Sequence, residues 1–331
     1  MPVLAAPSAP AGSPAFLRTR ADILVYSIIG FCAVALWWLC ARFASRLPAI
    51  APWDFSFVEF GSCWLAAWWY VRGLVAMPAA ERPGIYRHLA YFAGLAAIYV
   101  VLETRFEYLA EHQFFFNRMQ HVAMHHVGPL LLALSWPGAV LKRGVPQWLQ
   151  KLAANPVVRG PVRLLQQPVL APVLFSGTFF FWLIPSVHFR AMIDPQLYTV
   201  MNWSMVIEGL LFWFLVLDPR PSPPARASFG ARAAMTVAVM FPQIIGGAMV
   251  TFNPRDIYTF YNLCGRIYPE LGAHYDQSVG GLIMWIPPAM MSIVALLLVL
   301  NMLRKDDDRR MAELGEPEGP VIDASAWTGM R

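Results

Sequence analysis

Charge is scarce in this sequence. Asp, Glu, Lys and Arg make up 14% of its 331 residues, against roughly a quarter in an ordinary soluble domain. With 58% hydrophobic residues and a mean hydropathy of +0.49, the shortfall excludes a water-solvated globule and points to lipid as the main solvent. The pI near 9.1 is then no sign of nucleic-acid binding, because basic residues in such chains gather in cytoplasmic loops. Cysteine is sparse as well. Cys32, Cys40, Cys63 and Cys264 form no CxxC pair and no zinc-type spacing, leaving buried free thiols or one disulfide as the readings. A Gly-rich phosphate loop, a nucleophile–base pair, a nucleic-acid motif and an internal repeat are all missing, so the chain is not read as an enzyme.

What is present is apolar length. A bilayer core of about 30 Å needs about 20 apolar residues of helix. Eight segments reach that length, at residues 23–41, 57–77, 88–109, 118–141, 168–188, 198–217, 232–252 and 280–303, with seven as the alternative count. The expected fold is all-α: a polytopic transmembrane helical bundle over residues 21–303, between a tail without structure at 1–20 and a polar cytoplasmic tail at 304–331. Arg18 and Arg20 ahead of the first apolar run suit an uncleaved signal anchor. Eight spans put both termini on one side, together with most of the 25 Lys and Arg residues. The positive-inside rule makes that side cytoplasmic.

This orientation sorts the histidines without having used them. Of the seven, only His88 lies at the inner boundary; His112, His121, His125, His126, His188 and His274 fall on the outer side or in the outer ends of spans. Asp54, Glu59, Glu103, Glu107, Glu111 and Asp276 share that side. The densest cluster runs from Asn117 to His126. His121 and His125 are spaced i, i+4 and share one helix face, with Met124 beside them and Met119 off that face. Imidazole suits copper, zinc and iron, and thioether favours Cu(I). Histidine and methionine in membrane helices also serve simple packing and hydrogen bonding. Two features favour a metal instead: ionisable groups at membrane depth mark functional sites, and further histidines and carboxylates reach the same side from separate segments. Pro185 kinks its segment and aims His188 inward, or His188 is an interfacial residue beside Arg190. Asp276 binds metal, caps the coming helix or orients an imidazole. Glu208, mid-span, is structural or a relay. The candidate metal residues are therefore His121, His125, His126, Met119, Met124, His188, His274 and Asp276, with copper as the expected metal.

Five stretches in order then carry a family resemblance: Trp53-Asp54-Phe55; Tyr70-Val71-Arg72-Gly73; Met119-Gln120-His121 with His125-His126-Val127-Gly128-Pro129-Leu130-Leu131; Gly209-Leu210-Leu211-Phe212-Trp213; and Asp276-Gln277 with Gly280-Gly281-Leu282-Ile283-Met284-Trp285 and Pro287. Together they resemble the polytopic CtaG-type cytochrome c oxidase assembly proteins of bacteria, from about Trp53 to Pro288. Asn117, Leu183 and Asn202 stand where many of those proteins have histidine. The resemblance implies a multi-pass protein of the bacterial inner (plasma) membrane that aids maturation of a haem–copper oxidase, with oxidase subunits and periplasmic copper chaperones as partners.

Two other classes compete. His121-x-x-x-His125-His126 resembles one box of a membrane histidine-box metalloenzyme, but such enzymes use several boxes, facing the cytoplasm, to hold a di-iron centre. A haem-binding membrane protein needs imidazoles from different helices on the two faces of the ring, which His121 or His125 with His188 supplies once.

Overall fold

The computed structural model describes residues 14–314, and the described residues are helical with no strand. In chain order the helices are α1 (Pro14–Phe43), α2 (Phe57–Val75), α3 (Ile85–Leu102), α4 (Phe106–His112), α5 (Phe114–Val122), α6 (Gly128–Ser135), α7 (Gly138–Gly144), α8 (Gln147–Ala154), α9 (Pro156–Leu165), α10 (Leu170–Phe181), α11 (Pro185–Ile193), α12 (Pro195–Val216), α13 (Phe229–Thr251), α14 (Phe260–Cys264) and α15 (Ala273–Leu314). A π turn, Ala123–Val127, joins α5 to α6.

Each of the eight expected segments is helical, but eight spans are not met by length and composition. Among the described residues five helices are long and apolar enough to cross a membrane, namely α1, α3, α12, α13 and α15, or six if α9 and α10, bent by 80° at their break, form one span. The shortfall has local causes. Glu59 and Arg72 sit within the 19 residues of α2. The fourth segment opens on Asn117, Arg118, Gln120 and His121 and passes through the π turn. The fifth stops after the 12 residues of α10, because Pro185 has no N–H to continue it and instead starts α11. At the C-terminal end α15 runs on to Leu314, so residues 304–314 continue the helix where a tail was expected. At the other end α1 starts at Pro14, so residues 14–20 are helical where a tail without structure was expected; the remainder of both expected tails, 1–13 and 315–331, lies outside the described residues. All four cysteines are free thiols.

Polar side chains tie the bundle together at both ends. At one end Arg72 pairs with Asp22 of α1 at 3.0 Å and donates to the Gly144 carbonyl of α7 at 2.8 Å. Gly73 lies directly on the backbone of Val140, where any Cβ would collide. Tyr70, fully buried, stacks on Tyr91 with centroids 3.8 Å apart and shares a 2.9 Å hydrogen bond with His88 Nδ1. The Tyr70-Val71-Arg72-Gly73 stretch is thus a packing device that joins α1, α2, α3 and α7.

At the opposite end the Asp276 carboxylate, fully buried, accepts from the backbone N–H of Phe114 at 3.1 Å and of Phe115 at 2.8 Å. These N–H groups open α5 and have no partner within it. The guanidinium of Arg266 closes on the same carboxylate. Gln277 accepts from the N–H of Ile257 at 2.8 Å and donates to the Arg255 carbonyl at 3.0 Å, fastening α15 to the chain leaving α13. Gly280 and Gly281 then seat α15 on Phe114 and Thr251.

Asp276→Ala leaves the Arg266 charge and two helix N–H groups without their partner. Loss of one member of a buried ion pair costs about 3–5 kcal/mol, so the variant is expected to show a clearly lower unfolding midpoint in detergent, followed by intrinsic tryptophan fluorescence; an unchanged midpoint contradicts the role given to this carboxylate.

Candidate functional site

The π turn is where the histidines gather, and Pro129 explains it. Proline has no N–H for the carbonyl of His125, four residues back, and its ring crowds that carbonyl. The helix widens instead, and the Gly128 N–H bonds to the Ala123 carbonyl five residues back. Such single π turns recur at functional sites. The displaced His125 carbonyl rests against Gly209 of α12, where a Cβ would strike it and the Pro129 ring.

His125 and His126 in the turn and His121 at the end of α5 are all buried, with 0%, 1% and 1% exposure. His125 stacks flat on Phe175 of α10, centroids 4.0 Å apart, and Phe175 stacks on Phe212 at 4.1 Å. The rings of His125 and His126 are 4.7 Å apart. His126 Nε2 shares a 3.0 Å hydrogen bond with the Gln243 amide of α13. His188, turned inward by the break at Pro185 and buried, shares a 3.0 Å hydrogen bond between its Nε2 and Tyr261 Oη. His121 lies within electrostatic range of Arg118, His125 and His188. Both ring nitrogens of His121 and both of His125 are buried without a hydrogen-bond partner, as is one nitrogen of His126. Each such orphan costs about 1–3 kcal/mol, and four on two neighbouring imidazoles is unusual.

The site sits deeper than the rim predicted from sequence. Seven residues of helix separate Phe114 from His121, about 10 Å at 1.5 Å per residue. Three predicted residues stay apart from it. Met119 is 40% exposed on the outside of the bundle. His274 is exposed at the start of α15. Asp276 is committed to Arg266 and the start of α5, and it caps that helix rather than its own. Met124 is fully buried, in the same core cluster as Met201 and Met205. Among the described residues no three His, Cys, Asp or Glu side chains form a group able to hold a metal.

Arg118 is also fully buried. It bonds to Asn117 Oδ1 and lies over the Phe114 ring at 4.9 Å, with Nε and Nη1 unpaired. A guanidinium without a carboxylate makes the histidine region electropositive. Negative charge collects nearer the end of the bundle. Asp54, Glu59, Glu107 and Glu111 line a cavity of about 190 Å³ with Asn202, Met192 and Tyr198. Burial, then Asp54, pushes the Glu111 carboxyl up to about 7. Burial and the surrounding carboxylates hold Glu107 well above its ordinary range. Glu208 is buried on α12 with Oε1 unpartnered.

Gln243, Tyr261 and Asn202 were not singled out as site residues by sequence. For Gln243 a signal existed: a polar amide beside Pro242 in an apolar span has to face the bundle interior. Tyr261 carries none, because its contact with His188 is made across the fold.

A family model described as cytochrome c oxidase caa3 assembly factor matches residues 68–306, more than two thirds of the chain. No curated protein and no solved structure matches.

Adding a methyl at Gly209 forces the His125 carbonyl and Pro129 away, and overpacking of this kind costs about 1–3 kcal/mol. Gly209→Ala is expected to unfold earlier in a denaturing-detergent titration, whereas Gly230→Ala, where a Cβ meets nothing within 4 Å, is expected to match the parent.

Proposed function

The chain belongs to the cytochrome c oxidase caa3 assembly factor family, and from that premise we propose that it assists the oxidase by delivering or inserting copper, carried as Cu(I) on His121 and His125. One observation carries the reading: all four ring nitrogens of this pair are buried and unpartnered. Imidazoles kept only for packing would be expected to find hydrogen-bond partners, as His126 and His188 each do on one nitrogen.

The chemistry of the surroundings selects the ion. Imidazole and thioether are neutral donors suited to Cu(I), and Met124 adds a buried thioether to the same core. Arg118 already places one uncompensated positive charge beside His121. At short range in a low-dielectric interior a second charge is repelled strongly, and a divalent ion twice as strongly as a monovalent one. A two-imidazole site also leaves coordination positions open, so the cargo leaves by ligand exchange. A structural four-ligand site would hold it. His126, with one nitrogen unpartnered, is the next donor along the path. In this reading the end carrying α4, α11 and α14 faces the periplasm and both termini face the cytoplasm. Copper arrives from periplasmic chaperones and passes to an oxidase subunit.

His121→Ala and His125→Ala are each expected to lower the copper affinity of the purified protein by about tenfold or more, since even outer-shell losses at metal sites cost 10–100-fold, and to lower host oxidase activity with it. His88→Ala, at the other end of the bundle, is expected to retain copper. Elemental analysis with an absorption spectrum checks this: undiminished copper in both variants, or a haem band in place of copper, removes the proposal.

A further inference from the structure

Close to the histidines, on the side expected to face outward, the cavity of about 190 Å³ between the 53–59 segment, α4 and α12 has a composition that packing does not explain. Asp54, at its mouth, is exposed; Glu107 and Glu111 are half-buried; Glu59 and Asn202 are buried. None of the four carboxylates pairs with a cationic side chain among the described residues. Arg105, the nearest arginine in sequence, is turned to the carbonyls of Ala44 and Leu47 instead. Independently of the acids, Asn202, 1% exposed, lines the cavity with its Oδ1 lacking any partner. An orphaned buried acceptor facing a space ringed by carboxylates is explained by a bound cation or the waters it carries.

We propose that this cavity is a cation-collecting vestibule, which takes a metal cation with part of its water shell and passes it toward His121. Ionised as a cation enters, the carboxyl groups supply oxygen donors of the kind that suits hydrated ions. Because no three of these acids converge as a group able to hold a metal, the ion keeps waters and exchanges readily, as a point of passage requires. The cavity volume leaves room for an ion and several waters. Its inner wall adjoins the helix that carries the histidines. Tyr198, which lines the cavity, donates to Gln120 Oε1 at 3.0 Å, and Gln120 precedes His121. Met192, also in the wall, lies 3.8 Å from the Asn117 amide and offers a thioether between the oxygen-rich mouth and the nitrogen-rich interior. As a feed for His121 the vestibule rests on the copper reading; as a cation site it stands without it.

Mn²⁺ is the probe that separates the two, because it prefers oxygen donors to imidazole and thioether. Titration of the full-length protein in detergent, with free Mn²⁺ read by its paramagnetic resonance signal, is expected to show binding that falls at least tenfold in Glu107→Gln/Glu111→Gln. Binding is expected to be unchanged in His121→Ala and in Glu270→Gln, an exposed acid elsewhere. Absence of binding in the parent, or equal binding in all variants, overturns the site. The same glutamine variant is expected to load Cu(I) several-fold more slowly to the same final content. Copper loading at the parental rate overturns the feeding role. Absence of copper in every protein, the parent included, removes the copper reading, and the Mn²⁺ titration still decides the vestibule.

Discussion

The buried carboxylate of Asp276 fixes where the rest of the site can be. In a bilayer, the N–H groups that open a helix have no water to turn to and must be satisfied by the protein. Asp276 supplies two of these bonds to α5 from a helix more than a hundred residues away, and its own charge is met by Arg266. The start of α5 is thereby locked to the start of α15. The depth of His121, two turns further along, follows from that junction. The last of the family-like stretches is thus a joint rather than a ligand set: Asp276 holds α5, Gln277 holds the end of α13, and the paired glycines bring α15 against both.

Beside this joint the buried polar groups fall into two kinds. Tyr70, Asp276 and Gln277 have found partners, and they hold helices together. His121, His125, Arg118 and Asn202 keep unpartnered atoms while buried as deeply. An unmade hydrogen bond costs more than a made one contributes, so the second kind lowers stability. They lie where α5, the π turn, α10 and α12 meet, while further buried atoms without a partner lie elsewhere, on Arg72, Arg232, Trp285 and Ser292. Stability given up in one place is the usual mark of a site kept for a ligand. Charge is graded along the same region: carboxylates at the mouth, neutral donors further in, a guanidinium beside the histidines.

Proline and glycine account for the interruptions that made spans hard to count. Pro129 forces the π turn, Gly209 makes room for the carbonyl it displaces, and Pro185 ends one helix and starts the next so that His188 turns inward. Each break falls at the level of the histidines. Helices broken at membrane depth are tolerated where they are buried in protein, and here the broken stretches present side chains to the interior that an unbroken span would carry past it.

Low charge and long apolar runs were enough to specify an all-helical membrane protein, because lipid permits few other ways to satisfy a backbone. Five ordered stretches were enough to indicate the family, whereas the α-helical spacing read for His121 and His125 takes no account of the π turn that carries His125. Which polar residues would be spent on holding the fold was settled only in three dimensions. Asp276 and Met119 were both among the candidate ligands, yet one is consumed by a helix end and the other faces outward. Gln243, Tyr261 and Asn202 reach the site from segments whose sequence separation carries no record of proximity. Composition and periodicity report the solvent a residue needs. Only the packed chain decides whether that need has been met.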